Sequence, residues 1–277
     1  MHMMCAWKVL LSILPSWLRT DVDRLGREKL LELRLRINAP PELVMAGENQ
    51  FLSGTVTGDD LNYCINTASR YSPWVASTAA KGYLTAAGGH RIGICGTAVC
   101  NCGKVTGLRD IHSLCIRVAR DYQGIAEGIP FCCGSLLILG APGWGKTTLL
   151  RDLCRKVSEK ETVSIVDERG ELFPEGVRRG KRMDVLTGCP KTTGIEMLLR
   201  TMGPQWIAVD EITAGEDCDA LTRAANCGVN LLATAHGISI QDYISRNVYQ
   251  TLVTQRIFKT IIVLKQDKSY TLERVTQ

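Results

Sequence analysis

Gly140-Ala141-Pro142-Gly143-Trp144-Gly145-Lys146-Thr147 decides the fold of this chain. It has the spacing G-x-x-x-x-G-K-[ST], the glycine loop whose backbone N–H groups cradle phosphate. The apolar run Ser135–Leu139 before it reads as a buried strand. After it, Leu150, Leu153, Cys154 and Val157 recur at i, i+3, i+4 and i+7, the mark of a helix with one apolar face. Strand, loop and helix together aim amides and a helix N-terminus at an anion. Residues Gly140 to Thr148 are therefore the expected nucleotide-binding loop. Lys146 would reach the β- and γ-phosphates, and the Thr147 hydroxyl would take a place on Mg²⁺.

Working outward, Trp206–Val209 is a strand that runs directly into Asp210-Glu211. An apolar strand ending in an acidic pair downstream of a P-loop is the Walker B pattern. Asp210 is expected to serve the metal and Glu211 to polarise the attacking water. The strand Thr162–Val166 ends in Asp167-Glu168-Arg169-Gly170-Glu171, three carboxylates at the end of a strand where open α/β sheets bind ligands. Glu168 and Glu171 are the alternates for water activation. Val229–Thr234 delivers Thr234-Ala235-His236-Gly237, a polar residue and a histidine placed to sense the γ-phosphate. Ile195, Leu198, Leu199 and Met202 mark one helix face, Asp217–Asn226 another helix with Gly228 beyond its end, and Arg256–Gln277 a terminal hairpin.

Residues 1–120 read differently. Leu31–Ile37 alternates strictly, Glu42–Met45 and Tyr83–Thr85 are short strands, and Leu114–Val118 alternates again. A helix starts at Thr57, carries Leu61, Ile65 and Ala68 on one face, and stops before Pro73. Gly88-Gly89 and Asn101-Cys102-Gly103 mark turns. Val9–Leu14 is an apolar segment too short for a signal peptide and broken by Pro15; a helix packed on this domain is expected there, with an amphipathic docking segment as the alternative. The prediction is an α/β protein: a RecA-like P-loop NTPase domain over 135–277, preceded by a small α+β domain over 1–120 and a glycine-containing hinge over 121–134. Arg91, Arg109, Arg117 and Arg120 gather near the end of the first domain. They form either a solvated strand face or, with Arg117 and Arg120 foremost, a source of a phosphate-contacting guanidinium in cis or across a subunit interface.

The chain of 277 residues is 45% hydrophobic and 22% charged, with a net charge of +5, ordinary for a globular protein. That charge suits an acidic partner without requiring nucleic acid, and sparse aromatics argue against a single-strand stacking platform. Twelve cysteines without Cys-x-x-Cys spacing read as reduced thiols, with Cys132-Cys133 too close for a zinc ribbon. No stretch approaches the length of a membrane span. A cytoplasmic protein that meets the membrane through partners is expected.

Taken in order, G-A-P-G-W-G-K-T-T-L-L-R-D, V-D-E-R-G-E-L, D-V-L-T-G-C-P-K, M-G-P-Q-W-I-A-V-D-E-I and A-T-A-H-G resemble the stage III sporulation AA family of endospore-forming bacteria. The first domain matches too, through E-L-R-L-R at Glu32–Arg36, the run beginning at Gly82, and I-R-V-A-R at Ile116–Arg120. That family is similar to the ATPases of type II and type IV secretion systems and of type IV pili. The resemblance implies ATP and Mg²⁺ as ligands, a homo-oligomeric, hexameric ring, and a first domain packed over the nucleotide site. It implies an acidic box at Asp167–Glu171 and a histidine box at His236. It further implies work on membrane-embedded channel proteins between mother cell and forespore. Two departures stand out. Trp144 replaces a small aliphatic residue in the loop, and Thr213-Ala214-Gly215-Glu216 replaces a Gly-Arg stretch after Walker B. A slowly hydrolysing nucleotide-gated switch and, less favoured, a nucleic-acid translocase are the rival readings.

Overall fold

A computed structural model describes residues 2–45, 47–70, 82–130 and 134–274. Pro73, Cys132, Cys133 and the last residues of the expected terminal hairpin, 275–277, lie outside the described residues. Two units are distinguished. One comprises Met3–Asp121 with Pro174–Val177; the other comprises Met1–His2, Tyr122–Phe173 and Arg178–Gln277.

The short strands β1 (His2–Met4) and β8 (Asp121–Gln123) bound the first unit in sequence. Between them lie α1 (Trp7–Ile13), α2 (Ser16–Leu25), β2 (Leu30–Arg36), β3 (Glu42–Met45), β4 (Asn49–Phe51), α3 (Gly58–Ala68), β5 (Tyr83–Thr85), β6 (Arg91–Asn101) and β7 (Lys104–Arg117). The strands form an antiparallel sheet in the order β4-β3-β2-β7-β6-β5. The alternation of β2 puts Leu33 and Leu35 into a core with Leu10, Leu14, Leu18, Leu61 and Ile116. The segment around Val9–Leu14 is the expected packed helix. Thr57 caps α3: its hydroxyl accepts from the Asp60 amide, and the Asp60 carboxylate accepts from the Thr57 amide. The β6–β7 hairpin is longer than the sequence suggested. Beyond Cys95 it projects past its neighbours in the sheet with few buried residues, so no core-facing alternation announced it.

The second unit is a seven-stranded sheet in the order β11-β10-β12-β13-β9-β14-β15. Its strands are β9 (Leu136–Leu139), β10 (Val163–Asp167), β11 (Met183–Thr187), β12 (Trp206–Ile212), β13 (Asn230–Ala235), β14 (Thr260–Leu264) and β15 (Tyr270–Arg274). All pair in parallel except β15, which closes the edge antiparallel to β14. The helices are α4 (Lys146–Ser158), α5 (Lys191–Thr201), α6 (Gly215–Asn226), α7 (Ile240–Ser245) and α8 (Gln250–Thr254). Leu137, Leu139, Val209, Leu231 and Val263 share one core cluster with Ile195, Leu221 and Leu252. The alternate residues Ile138, Ala208, Leu232 and Ile262 are also fully buried, as are Leu150, Leu153 and Cys154 of α4. A parallel sheet covered on both faces produces such continuous apolar strands. Met202 departs from the expected helix face: it lies just past the end of α5 and is exposed, while Ile195 and Leu198 are buried.

The order of strands positions the site. β13 lies between the P-loop strand β9 and the acidic strand β12, so the carboxyl ends of all three open side by side. The connection from Tyr122 is anchored within the same unit. The Asp152 carboxylate accepts from the Ala126 amide at 2.9 Å, and Lys156 donates to the carbonyls of Ala126, Glu127 and Ile129.

Candidate nucleotide site

The loop leaves β9 at Gly140 and enters α4 at Lys146. Gly143 and Gly145 take φ of 76° and 99°, a left-handed backbone that side chains resist, so the loop can wind around an anion here. Ala141, Pro142 and Trp144 line the turn, with the Trp144 amide donating to the Ala141 carbonyl. Thr147 and Thr148 fall in the first turn of α4, where amides lack intrahelical acceptors. Lys146 is buried and folded back on the loop: its Nζ donates to Gly140 O at 2.9 Å and Ala141 O at 3.2 Å, and lies 3.5 Å from His236 Nδ1. Burial lowers the Lys146 pKa, an effect opposed by Glu211 and Asp210.

From Lys146 the contacts continue through a chain of polar groups. Thr147 Oγ1 donates to Asp210 Oδ2 at 2.9 Å. Thr234 Oγ1, fully buried on β13, donates to Asp210 Oδ1 at 2.8 Å and accepts from the Glu211 amide at 2.9 Å. Glu211 in turn meets His236 Nε2 through Oε1. Glu211 adopts φ of 44°, at a bulge where β12 spends three residues from Val209 to Ile212 against two on β13. Such a bulge re-aims a side chain, and a non-glycine residue in this region costs of order 1–3 kcal/mol. Burial pushes the Asp210 carboxyl above the usual carboxylate range, and the bonds from Thr234 and Thr147 only partly offset it. Two hard oxygens, the Thr147 hydroxyl and a carboxylate disfavoured when ionised without a counter-charge, are a donor set suited to Mg²⁺. Among the described residues no group of three or more His, Cys, Asp or Glu could hold a metal by itself.

The acidic box has divided roles. Asp167 is buried and accepts the amides of Glu171, Leu172 and Phe173 at 2.8–3.0 Å, which fixes the loop after β10. Glu168 pairs with Lys191 at 2.9 Å. Glu168, Glu171, Asp210 and Glu211 line one small cleft of roughly 30 Å³ together with Lys191 and Arg169. Arg169 is exposed and makes no hydrogen bond or ion pair among the described residues. Arg169, Lys191 and the bridge that Thr234 makes are site features beyond those expected from the sequence. Arg169 sat in the quoted box between two glutamates, a visible signal; the other two depend on strand order. Lys268, in the turn between β14 and β15, donates to Gly143 O at 2.6 Å, bringing another cation to the loop.

Arg151 and Arg155, on the outgoing helix, are engaged elsewhere. Arg151 donates to the carbonyls of Leu172 and Glu171, and Arg155 lies over the Phe173 ring. In the first unit, Arg117 pairs with Glu32 at 3.2 Å, and Arg120 Nη2 reaches the carbonyls of Arg27, Glu28 and Leu30 at 2.8–3.2 Å. Arg91 stacks on Tyr83, and Arg109 lies 3.6 Å from Asp110.

Residues 8–274 match the family described as "Sporulation stage III, protein AA". Stage III sporulation protein AA of Bacillus subtilis (strain 168) is 38% identical over 276 residues, covering 92% of this chain and 90% of that protein. Among solved structures, the pilus retraction motor PilT with bound ADP superposes with a TM-score of 0.66 at 16% identity, over 99% of this chain and 84% of that one. The Legionella pneumophila ATPase DotB gives 0.59 at 17% identity, over 94% and 80%. The likeness to the two solved structures shows the P-loop NTPase fold. No helix among the described residues is long and apolar enough to cross a membrane.

Proposed function

The chain belongs to the sporulation stage III protein AA family, and on that premise we propose that it is a Mg²⁺-dependent ATPase that works as an oligomeric motor at a secretion-like membrane channel. The observation that carries the reading is the connected series Thr147–Asp210–Thr234–Glu211–His236 at the mouth of the P-loop. A chance glycine turn would not come with an acidic pair pinned by a buried hydroxyl on the adjacent strand.

In this reading the loop amides and Lys146 hold the phosphates, with Thr148 in the helix's first turn. Thr147 and Asp210 would hold Mg²⁺, which supplies charge neutralisation at the phosphate oxygens. Facing that cation, Asp210 would stay ionised despite its burial. Glu211, turned out of the strand by its bulge and oriented by His236, holds the attacking water and takes up its proton. Glu168 and Glu171 line the same cleft, but Glu168 is drawn to Lys191, so Glu211 is the favoured base. Preorganised donors and cations around a developing charge are the main source of rate in phosphoryl transfer.

A guanidinium supplied by the first domain of the same or a neighbouring subunit would complete the site. Of the two arginines, Arg117 fits better, because Arg120 is committed to three carbonyls while Arg117 has an exposed side chain with one carboxylate partner. A hexameric ring with a domain hinge would turn hydrolysis into motion. The test is titration of full-length protein with a fluorescent ATP analogue in the presence and absence of Mg²⁺. Saturable, Mg²⁺-strengthened binding lost in Lys146→Ala supports the reading; equal binding by the folded Lys146→Ala variant overturns it.

A further inference from the structure

The sequence Arg178-Arg179-Gly180-Lys181-Arg182 sets four cations in five residues, in the stretch leading into β11. It has no part in the nucleotide site described above. The structure lays this run against the last turns of α4. Arg155 Nε donates to the Arg178 carbonyl at 2.9 Å, Lys181 pairs with Glu159 at 2.8 Å, and Arg182 donates to the Lys160 carbonyl. Gly180 makes the approach possible: a Cβ there would fall 1.8 Å from Ser158 Oγ and 3.3 Å from the Arg155 Cα. The run is thus fixed on the helix rather than left as a free loop.

Between run and helix lies an open cavity of about 400 Å³, lined by Arg155, Lys156, Arg178, Arg179 and Lys181 against three carboxylates, Glu127, Asp152 and Glu159. Most of these charges have structural work. Asp152 meets Arg155 and the Ala126 amide, Glu159 meets Lys181, and Lys156 is held by three carbonyls. Arg178 and Arg179 do not: both are exposed, and neither side chain makes a hydrogen bond or ion pair among the described residues. Arg178 acts on Glu159 only through space, and two guanidinium groups on adjacent residues repel each other within a Debye length. A fixed backbone that holds them at the rim of a cavity presents them to an anion.

We propose that this cavity is a docking site for an acidic peptide segment of a protein partner, with Arg178 and Arg179 gripping its carboxylates. Guanidinium forks match carboxylates in bidentate fashion. The site is concave, which suits a segment whose side chains enter it better than a planar lipid surface. Its lining has no aromatic ring on which bases would stack. The site is lined by the second half of α4, from Asp152 to Glu159 just past its end, roughly 9–20 Å from Lys146 along the helix. The inference does not depend on ATP hydrolysis.

The experiment is fluorescence anisotropy of full-length protein with a short labelled peptide rich in Glu and Asp. A single-stranded oligonucleotide and phosphatidylserine vesicles are run as parallel probes. The expected result is saturable peptide binding weakened roughly tenfold or more in Arg178→Glu/Arg179→Glu, as loss of two charge-assisted contacts requires. Arg178→Gln/Arg179→Gln, a milder change, should weaken it in the same sense. The control Arg200→Glu/Lys259→Glu makes the same change in net charge at two exposed sites elsewhere and should leave binding intact. Three results would overturn the proposal: no saturable peptide binding by wild type, equal weakening by the control pair, or tighter arginine-dependent binding of the oligonucleotide or the vesicles.

Discussion

Replacing Thr234 with valine tests whether the buried hydroxyl organises the acidic pair. The side chain is fully buried, and valine nearly conserves its shape, so packing should persist. Two hydrogen bonds go: the donation to Asp210 Oδ1 at 2.8 Å and the acceptance from the Glu211 amide at 2.9 Å. Stranding a buried N–H costs about 1–3 kcal/mol, and losing a donor to a carboxylate about 1.5–3 kcal/mol. Allowing for relaxation, we expect roughly 3 kcal/mol, which for a unit of this size lowers Tm by about 6–12 °C. The Glu211 bulge also loses its anchor, so kcat should fall while nucleotide affinity changes little. Thermal denaturation and steady-state phosphate release measure the two effects, and Thr234→Ser, which restores the hydroxyl, should recover most of both. A valine variant that melts and turns over as wild type does, or a serine variant no better than valine, would refute the reasoning.

Other consequences follow from the same geometry. The Asp210 carboxyl titrates higher when folded than unfolded, so the folded state binds the proton more readily and stability drops as pH rises from the ordinary carboxylate range through the folded value. Urea melts of the Asp210→Asn variant, which cannot ionise, should therefore gain on wild type between acid and neutral pH; parallel pH profiles would count against the burial argument. Arg169 lines the acidic cleft with no hydrogen-bond or ion-pair partner among the described residues, so it is expected to meet the γ-phosphate there: Arg169→Ala should keep ADP affinity while hydrolysis falls about tenfold to a hundredfold, as a charged contact worth roughly 1.5–3 kcal/mol implies. An unchanged rate would return Arg169 to the solvated surface. For the first domain, specific activity of full-length protein should rise with concentration and Arg117→Ala should flatten that rise, more than Arg120→Ala at equal foldedness. Activity independent of concentration in all three proteins would remove the trans-acting arginine.

The parts of the fold legible in the sequence are those dictated by local chemistry. The P-loop, its flanking strand and helix, and the acidic pair after Trp206–Val209 each carry their own pattern within a dozen residues. Strand order is set by non-local pairing, and no local pattern announces that β13 sits between β9 and β12. The Thr234 bridge and the contact of Lys191 with Glu168 therefore emerged only in three dimensions. The left-handed Glu211 was also hidden, because a bulge in one strand is defined by its partner. Short helices such as α7 and α8 hold together by packing rather than propensity, and sequence periodicity has no length in which to show them. Met202 shows the opposite error: a helical spacing continued one step past the helix's end.

The measurement closest to the central claim is steady-state phosphate release from ATP by wild type and Glu211→Gln, with ATP binding measured on the same samples. The glutamine keeps the shape and loses the charge that holds the water, so Mg²⁺-dependent release should fall by ~10²-fold or more while binding persists, the effect expected of a positioned base. A Glu211→Gln variant that hydrolyses at the wild-type rate, or a folded wild type that binds ATP and releases no phosphate, would contradict the account.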